Sequence, residues 1–360
     1  MAAPTTEVLL QALRQVRDPD LDRDIVSLNW VHDLAAKDGE VWLTLRVLAA
    51  PMERRELLAQ QARERLLQTP GVTAVHLRVD TTVPGMAAVE GKNSVPGVKN
   101  VIAVGSGKGG VGKTTVAVNV AIALAELGAV VGLMDADVYG PNVPRMLGVH
   151  EMPRVVGENR IEPLRGCGVK VISMGFLNPG DKPVIWRGPM LHSAVQQFLR
   201  NVEWGELDYL IIDMPPGTGD VALTLAQSVP MTGGVVVTTP SDVSLEDARK
   251  ALNMFQQLKI EVLGVVENMS LFVCPHCQKT VDIFSQGGGQ AMAEHFGVPF
   301  LGALPLEPAI RQGGDAGKPV AAGGPGAPQA RTFYALARRL AAEANLRAAA
   351  SEESVIQVRA

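Results

Sequence analysis

The alternation of apolar and amphipathic segments after residue 99 is the dominant pattern of the chain. Short apolar stretches typical of buried strands recur between stretches in which apolar residues have helical spacing. The candidate strands are residues 100–105, 130–135, 169–174, 208–213, 233–239, 260–266 and 299–303. Strands that alternate with helices form mainly parallel sheets, because each helix carries the chain back to the same end of the sheet. The pattern therefore predicts an α/β fold with a mainly parallel sheet sandwiched by helices.

The segment before residue 80 predicts a separate small α/β domain. Apolar residues between Val8 and Val16 have helical spacing, and residues 41–47 alternate as in a half-buried strand. Residues 53–67 predict a second helix and residues 72–79 another strand, after the turn signal Pro70-Gly71. This pattern assigns the first domain to residues 1–80.

The remaining boundaries follow from composition. Residues 81–98 contain several prolines and glycines with little periodicity, which is typical of a linker. The second domain then spans residues 99–346 and is followed by a flexible tail, residues 347–360. Within it, residues 313–328 are rich in Gly, Ala and Pro and predict a mobile loop, and residues 332–346 predict a surface helix.

A phosphate-binding loop follows the first strand of the second domain. It matches the pattern G-x-x-x-x-G-K-[ST] and consists of Gly107, Lys108, Gly109, Gly110, Val111, Gly112, Lys113, Thr114 and Thr115. Glycines let main-chain N–H groups close around phosphate oxygens, and the N-terminus of the following helix adds positive potential. We expect Lys113 to reach the β- and γ-phosphates and Thr114 to bind Mg²⁺.

Carboxylates end two further predicted strands. Asp135 and Asp137 close one strand, and Asp213 closes another, just before the turn Pro215–Gly219. A carboxylate at this edge of a parallel sheet, beside a phosphate loop, is placed to bind Mg²⁺ or to orient a water molecule. We assign the metal to Asp213, the attacking water to Asp137, and sensing of the γ-phosphate to the turn. The alternative for each aspartate is a cap on the next turn.

Composition excludes several other classes of protein. The chain has 360 residues, a hydrophobic fraction of 47% and a net charge of −4, so neither a nucleic-acid surface nor a polybasic membrane patch is indicated. Its apolar stretches are too short to span a bilayer, and the first residues lack the features of a secretory signal. Three cysteines fit a reducing compartment. We therefore expect a cytoplasmic protein that binds neither nucleic acid nor membrane.

Two of the three cysteines form a C-x-x-C motif. Cys274 and Cys277 enclose Pro275 and His276. The spacing suits a redox dithiol, half of a zinc site or half of an iron–sulfur site. A redox dithiol normally begins a helix, whereas residues 278–284 predict an extended segment. We expect His276 to be exposed or to lie behind the ligands, and Cys167 to be a small buried residue.

The two thiols are half of an ordinary ligand set. Structural zinc and [4Fe–4S] clusters usually have four protein ligands. A symmetric dimer would supply four thiolates, Cys274 and Cys277 from each subunit, around a two-fold axis. The spacing alone leaves zinc and iron–sulfur open.

The loop with its extra lysine resembles the deviant Walker A motif of the MinD/ParA-like ATPases. That resemblance implies a nucleotide-dependent dimer in which Lys108 reaches the phosphates of the other subunit and takes part in catalysis together with Lys113. It also places Asp137 and Asp213 at the two switch positions. Glu267-Asn268-Met269-Ser270 follows the strand that carries the adenine-contacting asparagine in this group, which makes Asn268 the candidate for base recognition.

Longer motifs are similar to the Mrp/ApbC family of iron–sulfur cluster carrier ATPases. They are Asp135–Gly148, Trp186–Met190, Asp213–Asp220 and Cys274–Cys277. The resemblance, and not the spacing, favours iron–sulfur over zinc. It implies a homodimeric ATPase of slow turnover that uses ATP and Mg²⁺, holds a [4Fe–4S] cluster between its subunits, receives it from upstream scaffolds and passes it to apo-proteins.

The first 80 residues resemble the small iron–sulfur-assembly domain that often precedes this ATPase. Asp18-Pro19-Asp20 and Pro70-Gly71-Val72 fit its pattern. That domain commonly has a cysteine before the proline of its second helix, but here the segment is Ala49-Ala50-Pro51. We therefore expect it to dock partners and not to supply a thiol.

Two other functions fit parts of the sequence. A zinc-bridged ATPase that binds client polypeptides would use the same C-x-x-C, and the thirteen methionines, although scattered, could line a client groove. A partitioning ATPase would act on DNA or membrane, against which the acidic charge balance argues.

Overall fold

The computed structural model describes residues 4–89, 91–157, 159–177, 188–217, 219–274, 276–277 and 279–359; for Asp220 and residues 352–359 it describes the backbone alone. Four residues of the predicted motifs, Trp186, Arg187, Thr218 and Pro275, lie outside this part of the chain. The role of the turn Pro215–Gly219, which contains Thr218, in sensing the γ-phosphate stays a prediction.

The N-terminal domain is a three-stranded sheet covered by two helices. Its elements are α1 (Thr6–Leu13), β1 (Arg17–Asp18), β2 (Arg23–Asp24), β3 (Val31–Lys37), β4 (Glu40–Arg46), α2 (Met52–Leu67) and β5 (Ala74–Asp80). β4 is central, antiparallel to β3 and parallel to β5. The sequence pattern misses β3, because its register shifts at the left-handed residue Asp33 and breaks the alternation.

The second domain is built on one eight-stranded sheet. Its first half comprises β6 (Val98–Gly105), α3 (Lys113–Glu126), β7 (Val131–Asp135), α4 (Val143–Leu147), β8 (Arg154–Val156), β9 (Arg160–Glu162), β10 (Leu164–Gly166), β11 (Val169–Ser173) and α5 (Gly188–Arg200). Its second half comprises β12 (Leu207–Asp213), α6 (Asp220–Ser228), β13 (Gly233–Thr238), α7 (Asp242–Gln257), β14 (Val262–Glu267), β15 (Phe272–Val273), β16 (Thr280–Val281), α8 (Gly288–Phe296), β17 (Phe300–Ala303), α9 (Pro308–Asp315) and α10 (Arg331–Arg359).

The sheet has the strand order β10-β11-β7-β12-β6-β13-β14-β17. Every neighbouring pair is parallel except β10 with β11. All seven predicted strands are present within two residues of their predicted ends, which confirms the mainly parallel α/β fold. Since parallel strands end at the same edge, β6, β7 and β12 bring their last residues together, and Asp213 pairs in register with both Val104 and Asp135.

The C-terminal half of the chain departs from the sequence expectations. The loop predicted over residues 313–328 contains the end of α9 and a 3₁₀ turn at Val320–Gly323, and Gly314 packs against Met146 of α4. Small residues let these segments pack closely, so a composition typical of loops produces ordered structure here. The surface helix predicted over residues 332–346 is the much longer α10, which extends to Arg359 through most of the proposed tail.

α10 is shared by the two domains. Its residues Phe333, Leu336 and Leu340 belong to the core around the large sheet, whereas Ala342 belongs to the core of the N-terminal domain. α10 also packs against α3, the helix that follows the phosphate loop. The predicted linker is likewise packed, since Val83 and Val95 are buried in the core of the second domain.

Polar contacts join the domains at α10. Arg338 is buried and donates to Asp18 at 2.6 Å, and it also pairs with Asp20. Arg23 pairs with Glu343 at 2.9 Å, in a more exposed position. The motif Asp18-Pro19-Asp20 is thus engaged within the chain.

Across the described residues, no helix is both long and apolar enough to cross a membrane.

Candidate functional site

The phosphate loop connects β6 to α3 and is shaped by close contacts at two glycines. A side chain at Gly107 would overlap the main chain of Asp247 on α7, so only glycine fits there. Gly112 has a left-handed φ of 82°, and a side chain at that position would overlap the amide of Asn268. The glycine spacing therefore sets both the turn and its contact with the neighbouring strand.

Lys113 lies between two carboxylates at the sheet edge. Its Nζ is 2.6 Å from Oδ1 of Asp213 and 3.8 Å from Oδ2 of Asp137. The Thr114 hydroxyl donates to the other oxygen of Asp213 at 2.7 Å. Burial raises the pKa of Asp213, while the charge of Lys113 opposes that shift. The lysine, the threonine and both aspartates predicted from sequence thus lie within one cluster.

Asp135 holds the loop that carries Asp137. It is fully buried and accepts hydrogen bonds from the main-chain N–H of Asp137 and from the hydroxyl of Ser173. Burial, and then the charge of Asp213, raise the pKa of Asp135. Asp137 in turn accepts N–H bonds from Tyr139 and Gly140 with Oδ1, which leaves Oδ2 on the side of Lys113. Asp135 is a support for Asp137, a role that the sequence analysis did not assign.

A cavity of about 650 Å³ opens above this cluster. The whole run from Lys108 to Thr115 lines it, together with Asp137 and Asn268. The lining also includes Arg145 on α4 and Arg311 on α9. A cavity of this size, with cationic side chains and a helix N-terminus at one end, can hold a nucleoside phosphate. Sequence reasoning did not find Arg145 or Arg311, since neither belongs to the phosphate-loop pattern.

Asn268 joins the end of β14 to the phosphate loop. Its side-chain amide donates to the carbonyl of Val111 at 2.8 Å, and its main-chain N–H donates to Thr238 at 2.7 Å. The side chain is buried in the cavity wall. The structure thus places Asn268 beside the loop, and its predicted contact with a base stays a prediction.

Lys108 lies at the α7 side of the cavity. It is half-buried, and its charge contributes to lowering the pKa of Asp247, whose main cause is the hydrogen bond from Lys250. Lys108 thus lines the same cavity as Lys113 and lies near α7.

The residues predicted to bind Mg²⁺ fit that ion chemically. Thr114 and Asp213 present a hydroxyl and a carboxylate within hydrogen-bond distance of each other. Hard oxygen ligands of this kind, few in number and completed by phosphate oxygens, are what Mg²⁺ ordinarily binds in nucleotide sites.

The two cysteines lie elsewhere, on a small hairpin formed by β15 and β16. Cys274 directly follows β15, and its N–H donates to the carbonyl of Lys279 at 3.0 Å. The Cys274 thiol accepts hydrogen bonds from the main-chain N–H groups of Cys277 and His276, which lower its pKa. Cys277 and His276 are exposed. The hairpin thus carries two neighbouring thiols: Cys277 is exposed, whereas Cys274 is partly exposed and is stabilised as a thiolate.

The third cysteine has a different setting. Cys167 is half-buried, and burial raises the pKa of its thiol. Within the described residues, no three or more His, Cys, Asp or Glu side chains are grouped to hold a metal ion, so none of these residues gives Cys274 and Cys277 a third ligand.

Comparisons with known proteins agree with this arrangement. A family model described as NUBPL iron-transfer P-loop NTPase, of the ParA group, matches residues 97–341. A model of an iron–sulfur cluster assembly protein matches residues 6–77. The chain belongs to the iron–sulfur cluster carrier family of P-loop NTPases.

Relatives over nearly the full length support the assignment. The iron–sulfur cluster carrier protein of Synechocystis is 47% identical over 96% of this chain and 99% of its own length. The carrier of Deinococcus radiodurans is 47% identical over 95% of this chain and 96% of its own. Among solved structures, a nucleotide-binding protein from Archaeoglobus fulgidus in complex with ADP, with cobalt, is 36% identical, with a TM-score of 0.55 over 62% of this chain and 88% of that one.

Proposed function

We propose that this protein is a cytoplasmic, homodimeric ATPase that carries a [4Fe–4S] cluster between its subunits and delivers it to apo-proteins. The observation that carries the proposal is the hairpin: two neighbouring thiols, one polarised by main-chain N–H groups, form half of a four-thiolate ligand set. Relatives of this protein are named iron–sulfur cluster carrier proteins. The cluster is cargo, received from upstream scaffolds.

An apolar surface beside the cysteines favours a second copy of the chain as the source of the other two thiolates. Val273 and Val281 on the hairpin, and Ile283 and Phe284 just after it, are 39%, 45%, 48% and 40% exposed. Covering such side chains removes apolar surface from water, and a two-fold axis through the hairpin would bring the two cysteine pairs together.

The nucleotide cluster supports ATP hydrolysis. Lys113 would neutralise phosphate oxygens, Asp137 would orient the attacking water, and Thr114 with Asp213 would hold Mg²⁺, which would neutralise charge on the β- and γ-phosphates. Lys108 would reach the phosphates of the partner subunit, and Asn268 would contact the base. Slow turnover is expected from the resemblance to carrier ATPases.

Metal and acid-labile sulfide analysis of protein purified without oxygen tests the proposal. The expected result is about four Fe and four S per dimer, with a broad visible absorbance. Cys277→Ala should lose the cluster, whereas Cys167→Ser, the matched control at the half-buried cysteine, should keep it. About one zinc per dimer without sulfide would instead support the zinc-bridged chaperone. A metal-free protein that forms a Cys274–Cys277 disulfide would support redox control.

A further inference from the structure

Glu267 is a buried carboxylate at the end of β14 that neither site uses directly. Its side chain is fully buried, and no cationic side chain pairs with it among the described residues. Burying a carboxylate without a cation is costly unless hydrogen bonds replace its water. Glu267 accepts three: from the Ser270 hydroxyl at 2.5 Å, from the Gly287 N–H at 3.0 Å and from the Gly289 N–H at 2.6 Å.

Those three donors enclose the cysteine segment. Ser270 precedes β15, while Gly287 and Gly289 lie where α8 begins, after the hairpin. Ser270 and Gly287 bond to the same oxygen, Oε1, so one atom ties together the two ends of residues 271–286. Besides the main-chain hydrogen bonds of Ser270 and Leu271 to the segment after β17, this carboxylate therefore helps to hold the hairpin on the large domain.

The next residue connects the same strand end to the nucleotide cavity. Asn268 donates to the carbonyl of Val111 and packs against Gly112, both in the phosphate loop. A nucleotide that binds this loop must engage its main chain. Any shift of the loop is thus passed to Asn268 and, through one peptide unit, to Glu267.

We propose that Glu267 is a positioning residue that links the nucleotide loop to the cysteine hairpin, so that nucleotide binding changes the accessibility of Cys274 and Cys277. The inference rests on the proposed function, in which the two sites act together. A ligand alters a distant site only if the two sites share an element with two arrangements, and the β14 end with its three hydrogen bonds is the candidate for that element.

Thiol reactivity in the cluster-free, full-length protein tests the link. In a Cys167→Ser background, the rate at which a disulfide reagent modifies Cys274 and Cys277 is measured with and without Mg²⁺ and a non-hydrolysable ATP analogue. Since allosteric couplings ordinarily amount to about fivefold or more, we expect a nucleotide-dependent rate change of at least about that size. Glu267→Gln should reduce the change below about twofold while analogue affinity is retained, because an amide cannot accept all three bonds.

Two further variants sharpen the test. Asp18→Asn combined with Arg338→Met, so that no buried charge is left unpaired, is the control: Asp18 is also a fully buried carboxylate that accepts two main-chain N–H bonds, but it lies in the N-terminal domain, and the double variant should keep the full response. Ser270→Ala removes only the hydroxyl donor and should give an intermediate response. If Glu267→Gln does not fold, Ser270→Ala carries the test.

The proposal is overturned if Glu267→Gln keeps the full response, or if the Cys167→Ser background shows none. Protection that arose only from a nucleotide-dependent dimer would survive in Glu267→Gln and so counts against the link. Iron and sulfide content is measured separately, so failure to bind a cluster would reject the proposed function without deciding the thiol result.

Discussion

The Lys113–Asp213 pair at the nucleotide cavity and the Arg338–Asp18 pair between the domains are chemically alike but differ in what surrounds them. Asp18 accepts two main-chain N–H bonds and the arginine, and Arg338 also reaches Asp20. Lys113 and Asp213 lie beside a cavity, with further carboxylates next to them. Groups of the folded chain alone pair the charges of Arg338 and Asp18. At the cavity, a phosphate oxygen could replace Asp213 beside Lys113, and a cation could replace Lys113 beside Asp213. A buried ion pair thus indicates a functional site where a cavity adjoins it, as at Lys113, and not where folded chain surrounds it, as at Arg338.

Lys113→Ala should show the largest difference between the two pairs, because it should lower ATP turnover much more than stability. We expect ATP turnover to fall at least about 10²-fold, because a positioned charge that stabilises the transferring phosphoryl group is lost. The free energy of unfolding should change less than for loss of Arg338, because Lys113 lines the cavity and its removal would let water approach Asp213. Phosphate release and urea unfolding measure the two effects, with the exposed Lys250→Ala as control. Retained turnover would reject the assignment of Lys113.

Arg338→Met should do the reverse, lowering the free energy of unfolding while leaving ATP turnover nearly unchanged. Removing one partner from a buried pair leaves an uncompensated charge, so the free energy of unfolding should fall by about 3–5 kcal/mol. ATP turnover per folded molecule should stay within about twofold of the wild type, because Arg338 does not line the nucleotide cavity. Urea unfolding checks the loss, and adding Asp18→Asn to the same chain should recover part of it. An unchanged unfolding midpoint would show that the domains do not depend on this pair.

Arg23→Gln should produce the smallest effect. Arg23 and Glu343 join the same two domains, but their side chains are 37% and 23% exposed. Solvent screens such a pair, so the expected loss is below about 1 kcal/mol. Urea unfolding beside Arg338→Met makes the comparison within one interface. A loss as large as that of Arg338→Met would mean that position in the interface matters more than burial.

The large sheet could be predicted from sequence because its signals are local. Each of its seven predicted strands is an apolar run of four to eight residues bounded by turns, and the phosphate loop is a contiguous pattern whose neighbours in sequence are its neighbours in space. The convergence of Asp137 and Asp213 also followed, because ends of parallel strands share one edge.

Contacts between distant segments could not be predicted in the same way. Arg338 and Asp18 are separated by almost the whole chain, and nothing near either residue indicates its partner. The support that Glu267 gives to Gly287 and Gly289 depends on how the hairpin returns to the sheet. Close packing of small residues, as between Gly314 and Met146, has the same composition as a loop and was therefore misassigned.

The shared helix α10 has a consequence for where the chain can be divided. Sequence families separate it between residues 77 and 97, yet α10, some 250 residues further on, completes the hydrophobic cores on both sides of that division. A fragment without the first domain would expose Ala342 and leave the buried Arg338 without Asp18. The first domain alone would lose the part of its core that α10 contributes. Two family models match the two parts separately, but because both cores share α10, we expect the two domains of this chain to unfold together.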